Sequence, residues 1–309
     1  MTVTSAYAAY ATSYTNRTPY LSLGEYNNAP TAMDVSNLIA GGNPDAQSSV
    51  LAETISRASS WIDQITMGSW GTLAATVNTE NARIWGNNAG QLIVHPRFWP
   101  ILEVDSFSYA AQGFANNTAA SITPAGNIWI EPMQFIVQPQ GVMSWGLNGG
   151  GGGIAGGRQY FCTWSYCNGY PVSTLSASVG PGATSIAPVS VTGIYPGTEL
   201  TIYDDPFDET VQVAASYVPG TATVPLTPAS TLVNDHMAGV MVTNLPPAVK
   251  QAAILLTTAL IKQRGSGALI VNDIGEVSHT QSSAAQDQAE DVGRAFELLQ
   301  PFKAIFVGT

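Results

Sequence analysis

The sequence predicts an α+β fold with helices near both ends and β structure between them. Two sets of apolar residues recur at intervals of four and three residues: Leu51, Ile55, Ala58, Ile62 and Ile65, and Ala285, Ala289, Val292, Phe296 and Leu299. At about 100° per residue, this spacing places each set on one face of a helix. Because neither face can stay exposed, we expect the N- and C-terminal helices to pack together.

The composition favours a protein with extensive protein–protein contacts. Only 10% of the 309 residues are charged, against about 25% in an average soluble protein. Much of the surface must therefore be uncharged, which is more typical of an oligomer or particle than of a monomer. The net charge of −11 argues against DNA binding through phosphates, which requires clustered Lys and Arg.

Residues 1–18 are mostly Ala, Thr, Ser and Tyr. We interpret them as an extended arm that contacts a neighbouring subunit through Tyr7, Tyr10 and Tyr14. A disordered tail is the alternative. No basic or apolar signal-peptide region begins the sequence. We expect a short helix from Thr31 to Ala40, ended by Gly41-Gly42.

The first long helix is predicted to begin at Asp45 as its N-cap and to end near Thr66. Its polar back comprises Glu53, Arg57, Ser60, Asp63 and Gln64.

From about Glu80 the apolar residues alternate, which predicts strands. The predicted strands of this first β segment are Ala82–Trp85, Gln91–His95, Glu103–Tyr109, Asn127–Glu131, Gln134–Gln138 and Gln159–Tyr166. Cys162 and Cys167 lie an odd number of residues apart, so their side chains should lie on opposite faces as free buried thiols. The Gly-rich loop that starts at Gly149 lacks the Gly-Lys-Ser/Thr ending of a phosphate-binding loop.

A second β segment follows Tyr170-Pro171 and reads as a small sandwich or barrel. Its predicted strands are Thr174–Ser178, Thr184–Ala187, Thr198–Tyr203, Glu209–Ala214, Ala222–Leu226 and Gly239–Thr243. The inward face should carry Leu200, Ile202, Val211, Val213, Val224, Leu226, Val240 and Val242.

Leu245-Pro246-Pro247 leads into a helix predicted over Ala248–Arg264 and ended by Gly265. Apolar residues cover more than one of its sides, so it lies at the centre of the core or also contacts another subunit. A long loop follows, from Gly265 to Gln281. The last helix opens at Ser283, and Pro301 stops it before a short hydrophobic extended tail.

Catalytic patterns are largely missing, and we expect no enzyme, no cofactor and no metal site. His95, His236 and His279 lie far apart in sequence, without a second ligand at metal spacing. The acidic cluster Asp204, Asp205, Asp208 and Glu209 lacks the order of an EF-hand loop, and a solvated turn is favoured over a weak cation site.

Several motifs together resemble the head-tail connector (adaptor) proteins of long-tailed bacteriophages. They are, in order, Pro19–Tyr26, Ala58–Asp63, Pro96–Ile101, Leu245–Pro247 and Leu298–Phe302. The resemblance covers about 230 residues in two blocks and lies in packing and turn motifs. The middle module looks like β (Ig-like or barrel) modules that decorate phage virion proteins, through Gly193–Leu200 and His236–Gly239.

The resemblance implies a domain scheme: an arm at 1–18, a discontinuous helical connector core with a β excursion at 19–170 and 245–309, and an inserted module at 171–244. It also implies a ring, usually of twelve subunits, in the virion neck beneath the portal, assembled from chains made in the host cytoplasm. DNA would pass through this ring without sequence-specific binding. The expected partners are copies of the chain, the portal protein and the next neck or tail protein.

By the same resemblance, two groups of residues are candidate contact sites. The portal-binding group comprises Leu299, Pro301, Phe302, Ile305 and Phe306, and the assembly loop carries Gly265, Gly267, Asp273 and Gly275. Two other functions stay open: a different tail or capsid-decorating protein, or an adhesive, carbohydrate-binding role for the β module. Residues 171–244 contain no Trp, which weighs against carbohydrate binding.

Overall fold

A computed structural model describes residues 19–30, 33, 35, 38, 43–68, 71–111, 120–122, 126–138, 156–266 and 290–303. It confirms the α+β class. The chain forms two compact units: the described residues up to Thr72 together with those from Pro171 to Lys303, and the described residues of Leu73–Tyr170. The sequence-based scheme instead joins 19–170 with 245–309, and the two divisions share the boundary near residue 171.

The helices belong to the first unit: α1 (Leu23–Asn28), α2 (Pro44–Met67), α3 (Pro247–Ser266) and α4 (290–299), followed by a 3-10 turn at Gln300–Phe302. The expected packing of N- and C-terminal helices is confirmed where the Trp61 ring meets Phe296 edge-on, with centroids 6.1 Å apart. An ion pair of 2.7 Å between Lys262 and Asp291 also joins α3 to α4.

The predicted buried face of α2 is confirmed for Leu51, Ile55, Ala58 and Ile62, while Ile65 is half-buried. Asp63, predicted on the polar back, is instead 2% exposed. The hydroxyl of Tyr20 donates a hydrogen bond to its carboxylate, because the segment before α1 packs on this side of α2. A helix covered by a second segment buries more than one face.

The N-terminal helices differ from the predictions in two respects. Most of the predicted helix Thr31–Ala40, and Gly41-Gly42 after it, lie outside the described residues, and Met33, Val35 and Leu38, which are described, are not helical. A helix that was not predicted, α1, precedes this region, and Ser22 and Glu25 form its capping box. The N-cap of α2 is Asn43, whose side chain accepts the Ala46 N–H at 2.8 Å.

Gly265 lies inside α3, which continues to Ser266, because one glycine in a helix costs only about 1 kcal/mol. After the C-terminal end of α4, Phe302 belongs to a 3-10 turn and not to the predicted extended tail.

The second unit is a pair of antiparallel sheets over one core. One sheet has the order β1-β7-β3-β4 and the other β2-β6-β5. Their strands are β1 (Thr76–Trp85), β2 (Leu92–Val94), β3 (Ile101–Ala111), β4 (Ala120–Ile122), β5 (Ile128–Glu131), β6 (Gln134–Val137) and β7 (Gln159–Asn168). All six predicted strands are present, and β4 was not predicted.

The core between the two sheets of this unit contains Phe107, Phe135 and Trp164. The Phe135 ring makes T-shaped contacts with the rings of Phe107 and Trp164. Cys162 and Cys167 are buried and form no disulfide, as predicted.

The remaining strands lie in the first unit and form the predicted β module. They are β8 (Val172–Thr174), β9 (Ser185–Ile186), β10 (Glu199–Tyr203), β11 (Glu209–Gln212), β12 (Val224–Pro225) and β13 (Met241–Thr243). A four-stranded sheet, β11-β10-β13-β8, and the pair β12-β9 share one core. Seven of the eight predicted inward residues are buried there, and Val240 is partly buried against it.

Candidate interaction surface

The outer face of the three-stranded sheet carries a row of apolar side chains that crosses all three strands. Ile93 pairs with Ile136 across β2 and β6, and Ile136 pairs with Trp129 across β6 and β5. Leu92, Phe135 and their neighbours point into the core, so the alternation of side chains places these three residues outside. Ile93 is 37% and Trp129 50% exposed. We call Ile93, Ile136 and Trp129 the apolar row.

The outer face of the four-stranded sheet is polar at its centre and apolar at its ends. Thr79 and Asn81 of β1 lie beside Ser165 and Thr163 of β7. Three apolar side chains are exposed on these two strands: Val77, Trp85 and Phe161. Trp85 pairs with Gln159 and Phe161 with Arg83, so Trp85 and Phe161 are diagonal neighbours on one face.

Glu80 is the acidic residue of β1, and its carboxylate is held on the inner side of the strand. The Tyr166 hydroxyl donates to Glu80 at 2.6 Å, and the Arg97 N–H lies 3.2 Å from both carboxylate oxygens. Burial raises the pKa of Tyr166 well above its usual range, and the hydrogen bond to Glu80 adds to this. Tyr166 therefore remains a neutral donor that fixes Glu80 away from the outer face.

A buried lysine joins the helices to the β module in the first unit. Lys250 of α3 is 5% exposed, and its Nζ forms an ion pair with Glu25 of α1. The same atom lies 3.3 Å from the Met241 sulfur and 3.5 Å from the centroid of the Tyr203 ring. Burial lowers the pKa of Lys250, and the Glu25 carboxylate opposes that shift. These three neighbours surround the amine, so the arrangement is a clamp rather than an open nucleophile.

A cleft of about 510 Å³ lies beside this clamp, within the same unit. Leu21, Ala52 and Tyr203 line its apolar part, and Asp204 and Asp205 line its acidic part. Nucleophilic catalysis needs a nucleophile within hydrogen-bond reach of a base, and the residues lining this cleft provide no Ser–His or Cys–His pair. The cleft supplies shape and negative charge rather than a reactive group.

His236 is buried in the β module between two carboxylates. Its Nδ1 lies 3.2 Å from Asp204 and its Nε2 3.8 Å from Glu209. Glu209 also accepts the backbone N–H groups of Val233 and Asn234. Asp204 and Glu209, predicted to lie in a solvated turn, therefore hold the 233–236 segment to β10 and β11. Among the described residues, no group of three His, Cys, Asp or Glu side chains is arranged to hold a metal ion.

The predicted portal-binding residues have different environments. Leu299 is 0% exposed, packed inside the first unit, so its side chain is not available to a partner. Pro301 is exposed and Phe302 half-buried, and Ile305 and Phe306 lie outside the described residues. Of the predicted assembly loop, Gly265 belongs to α3, and Gly267, Asp273 and Gly275 lie outside the described residues.

Sequence reasoning missed both the apolar row and the lysine clamp. A signal for the row exists in Ile128-Trp129-Ile130, where three consecutive apolar residues must place at least one on the outer face of a strand. Lys250 lies in the first turn of the helix predicted over Ala248–Arg264, and a lysine there signals a buried ion pair only when its partner is known. Glu25 lies 225 residues away.

No family model, curated protein or solved structure matches this chain. In the part of the chain that the structure describes, no helix is long and apolar enough to cross a membrane.

Proposed function

We propose that this chain is a structural virion protein, a head-to-tail connector that forms a ring beneath the portal. The observation that carries the proposal is the uncovered apolar row on a protein with so few charges. Ile93 and Trp129 are exposed although only 10% of the residues are charged. Contiguous apolar surface of this kind is typical of protein–protein contacts. Many proteins have large protein–protein interfaces. We propose a connector because the connector-like motifs follow one another in the order found in that family.

The charge of the chain fits a passage for DNA. A net charge of −11 repels phosphates, so DNA can slide past a surface of this sign without being gripped. The ring would extend the portal channel and provide the docking surface for the next neck or tail protein.

The β module would strengthen contacts at the neck or decorate its outside. It exposes four apolar side chains, each more than 60% accessible: Val189, Val218, Val233 and Met237. Single exposed apolar residues are ordinary on a protein surface, but four on one small module favour a role in contacts.

Electron microscopy of the purified chain, alone and mixed with portal, tests the proposal. We expect a ring with a central hole that docks on portal. A chain truncated after Gln300 should still fold and form the ring, since Leu299 keeps its buried place, but it should lose portal recruitment. Phe207→Ser is the control, because Phe207 is 54% exposed and lies in the β module. Failure to form a ring under both conditions would contradict the connector function, and unchanged recruitment of the truncated chain would contradict the portal-binding role of the tail.

A further inference from the structure

Strand β1 has a long free edge. It is ten residues long, and in the described part of the chain its backbone pairs only with β7. Every second N–H and C=O group along its other side therefore has no strand partner among the residues that the structure describes. An edge of this length is a ready template for another strand.

The free edge has few of the features that usually protect such strands. Edge strands are commonly blunted by proline, by bulges or by charged side chains, including inward-pointing ones. β1 contains no proline, and its register with β7 is continuous. Its inward-pointing charge, Glu80, is already bound by the Tyr166 hydroxyl and the Arg97 N–H, and Arg83 is the single charge on its outer face. Val77 and Trp85 are 59% and 62% exposed, and a weakly protected edge beside exposed apolar side chains favours a strand that covers it in the assembled protein.

Residues 1–18 have the composition of that missing strand. They contain no Gly or Pro, a single charge at Arg17, and many Thr and Tyr residues, which favour strands. At about 3.3 Å per residue the segment spans roughly 60 Å when extended. That is nearly twice the length of β1, so the segment can pair along β1 and still cross to another copy.

We propose that residues 1–18 of one copy add as an antiparallel strand to the free β1 edge of a neighbouring copy. One register, with Tyr10 opposite Asn81, places three favourable pairs together. Those pairs are Tyr14 with Val77, Thr12 with Thr79 and Tyr7 with Ile84. Aromatic with β-branched and Thr with Thr are the cross-strand pairs that stabilise antiparallel strands. The register sets no like charges opposite each other.

Exchange between copies rests on the ring proposed above, whereas the pairing of the arm with β1 does not. In a closed ring each copy donates one arm and receives one, so no edge remains free. The tests below therefore separate the two ideas.

Disulfide cross-linking tests the pairing and its register. Thr12→Cys and Thr79→Cys are made on two differently tagged chains, which are mixed, assembled with portal and oxidised. We expect a disulfide-linked dimer that carries both tags. Thr12→Cys with Gln212→Cys is the control, because Gln212 is exposed on β11 of the β module and is not among the residues proposed for contacts. The native thiols of Cys162 and Cys167 are buried and should not compete.

Three results would overturn the proposal. If a chain with both cysteines closes the bond within itself while the mixture gives no dimer, the arm binds its own copy. A second pair of variants, Tyr14→Cys and Val77→Cys, tests the same register. If neither this pair nor Thr12→Cys with Thr79→Cys forms a disulfide, the arm does not lie on β1 in this register. If the control pair cross-links as well, contact is random.

Amide hydrogen exchange provides a second measurement on the assembled protein. Deleting residues 2–17 should raise the exchange rate at least tenfold for β1 amides on the free edge and leave those bonded to β7 unchanged. Equal rates with and without the arm would count against the pairing. If microscopy shows a ring but no cross-link forms, the connector proposal stands and the proposed arm exchange is wrong. If the cross-link forms but no ring is seen, the arm exchange stands and the connector proposal is wrong.

Discussion

Lys250 shows how one residue links separate segments of the first unit. Its amine lies among Glu25, Tyr203 and Met241, which belong to α1, β10 and β13. A buried ion pair contributes little more than well-packed apolar residues, but losing one partner strands the other charge in a low dielectric. We therefore expect the pair to favour the arrangement in which these segments meet.

We predict that Lys250→Met destabilises the protein by about 3 kcal/mol, because the Glu25 carboxylate is left buried without its partner. The double variant Glu25→Gln/Lys250→Met should lose less than the sum of the two single variants. Urea unfolding of all four proteins measures this. Additive losses, or a Lys250→Met protein as stable as the wild type, would contradict the clamp.

Cys162 predicts a dependence of stability on alkaline pH. Burial raises the pKa of its thiol from 9.0 to about 12. Above pH 9 the unfolded thiol loses its proton while the folded one keeps it, so the free energy of unfolding falls as pH rises from about 9 towards 12. In Cys162→Ala the loss of stability over this range should be smaller. Unfolding curves between pH 8 and 10.5 measure the difference, and identical slopes would argue against a buried neutral thiol.

Among the elements, the turn after β7 depends on a glycine for two separate reasons. Gly169 has φ +95°, and its N–H donates to the Pro100 carbonyl at 2.9 Å. A Cβ built there would lie 2.6 Å from the Leu73 carbonyl oxygen. Gly126 also has positive φ, at +79°, but has nothing within 4 Å of a built Cβ.

We predict that Gly169→Ala costs about 3 kcal/mol and Gly126→Ala about 1 kcal/mol, since both pay for left-handed backbone but only the first adds a backbone clash. Thermal and urea unfolding of the two variants provide the comparison. Equal losses of stability in the two variants would show that the close contact with the Leu73 carbonyl does not add to the cost at Gly169.

The strands were the easiest elements to predict, and the short helix was the hardest. A period of two located eleven of the twelve predicted strands, because one face of each sheet packs on a core. The exception is the predicted Thr174–Ser178, which shares only Thr174 with β8 (Val172–Thr174). The α1 helix has only six residues, too few for a periodic pattern, although its Ser22-x-x-Glu25 capping box is present in the sequence. Boundaries such as Asn43 and Ser266 depend on single hydrogen bonds and on neighbouring packing.

For the whole molecule, the apolar row is the surface whose loss should affect assembly more than folding. We predict that Trp129→Ser lowers the free energy of unfolding by no more than about 1 kcal/mol, because the half-exposed side chain gives up mainly its cross-strand contact with Ile136. Ring assembly should require at least about tenfold more protein, since buried Trp is often an interface hot spot. Native mass spectrometry over a concentration series measures assembly. Phe207→Ser is the matched control, and equal effects of the two variants would contradict a specific role for the row.

Local periodicity and composition were enough to predict the α+β class, the alternation of the strands, the burial of the two thiols and the low charge. The burial of Asp63 and Lys250, the enclosure of Leu299 and the shared outer face of Ile93, Ile136 and Trp129 follow only from the folded arrangement. Those facts depend on residues that are distant in the chain: Tyr20 reaches Asp63, and Glu25 reaches Lys250. Local pattern cannot encode such pairings, because burial is decided by what a segment packs against.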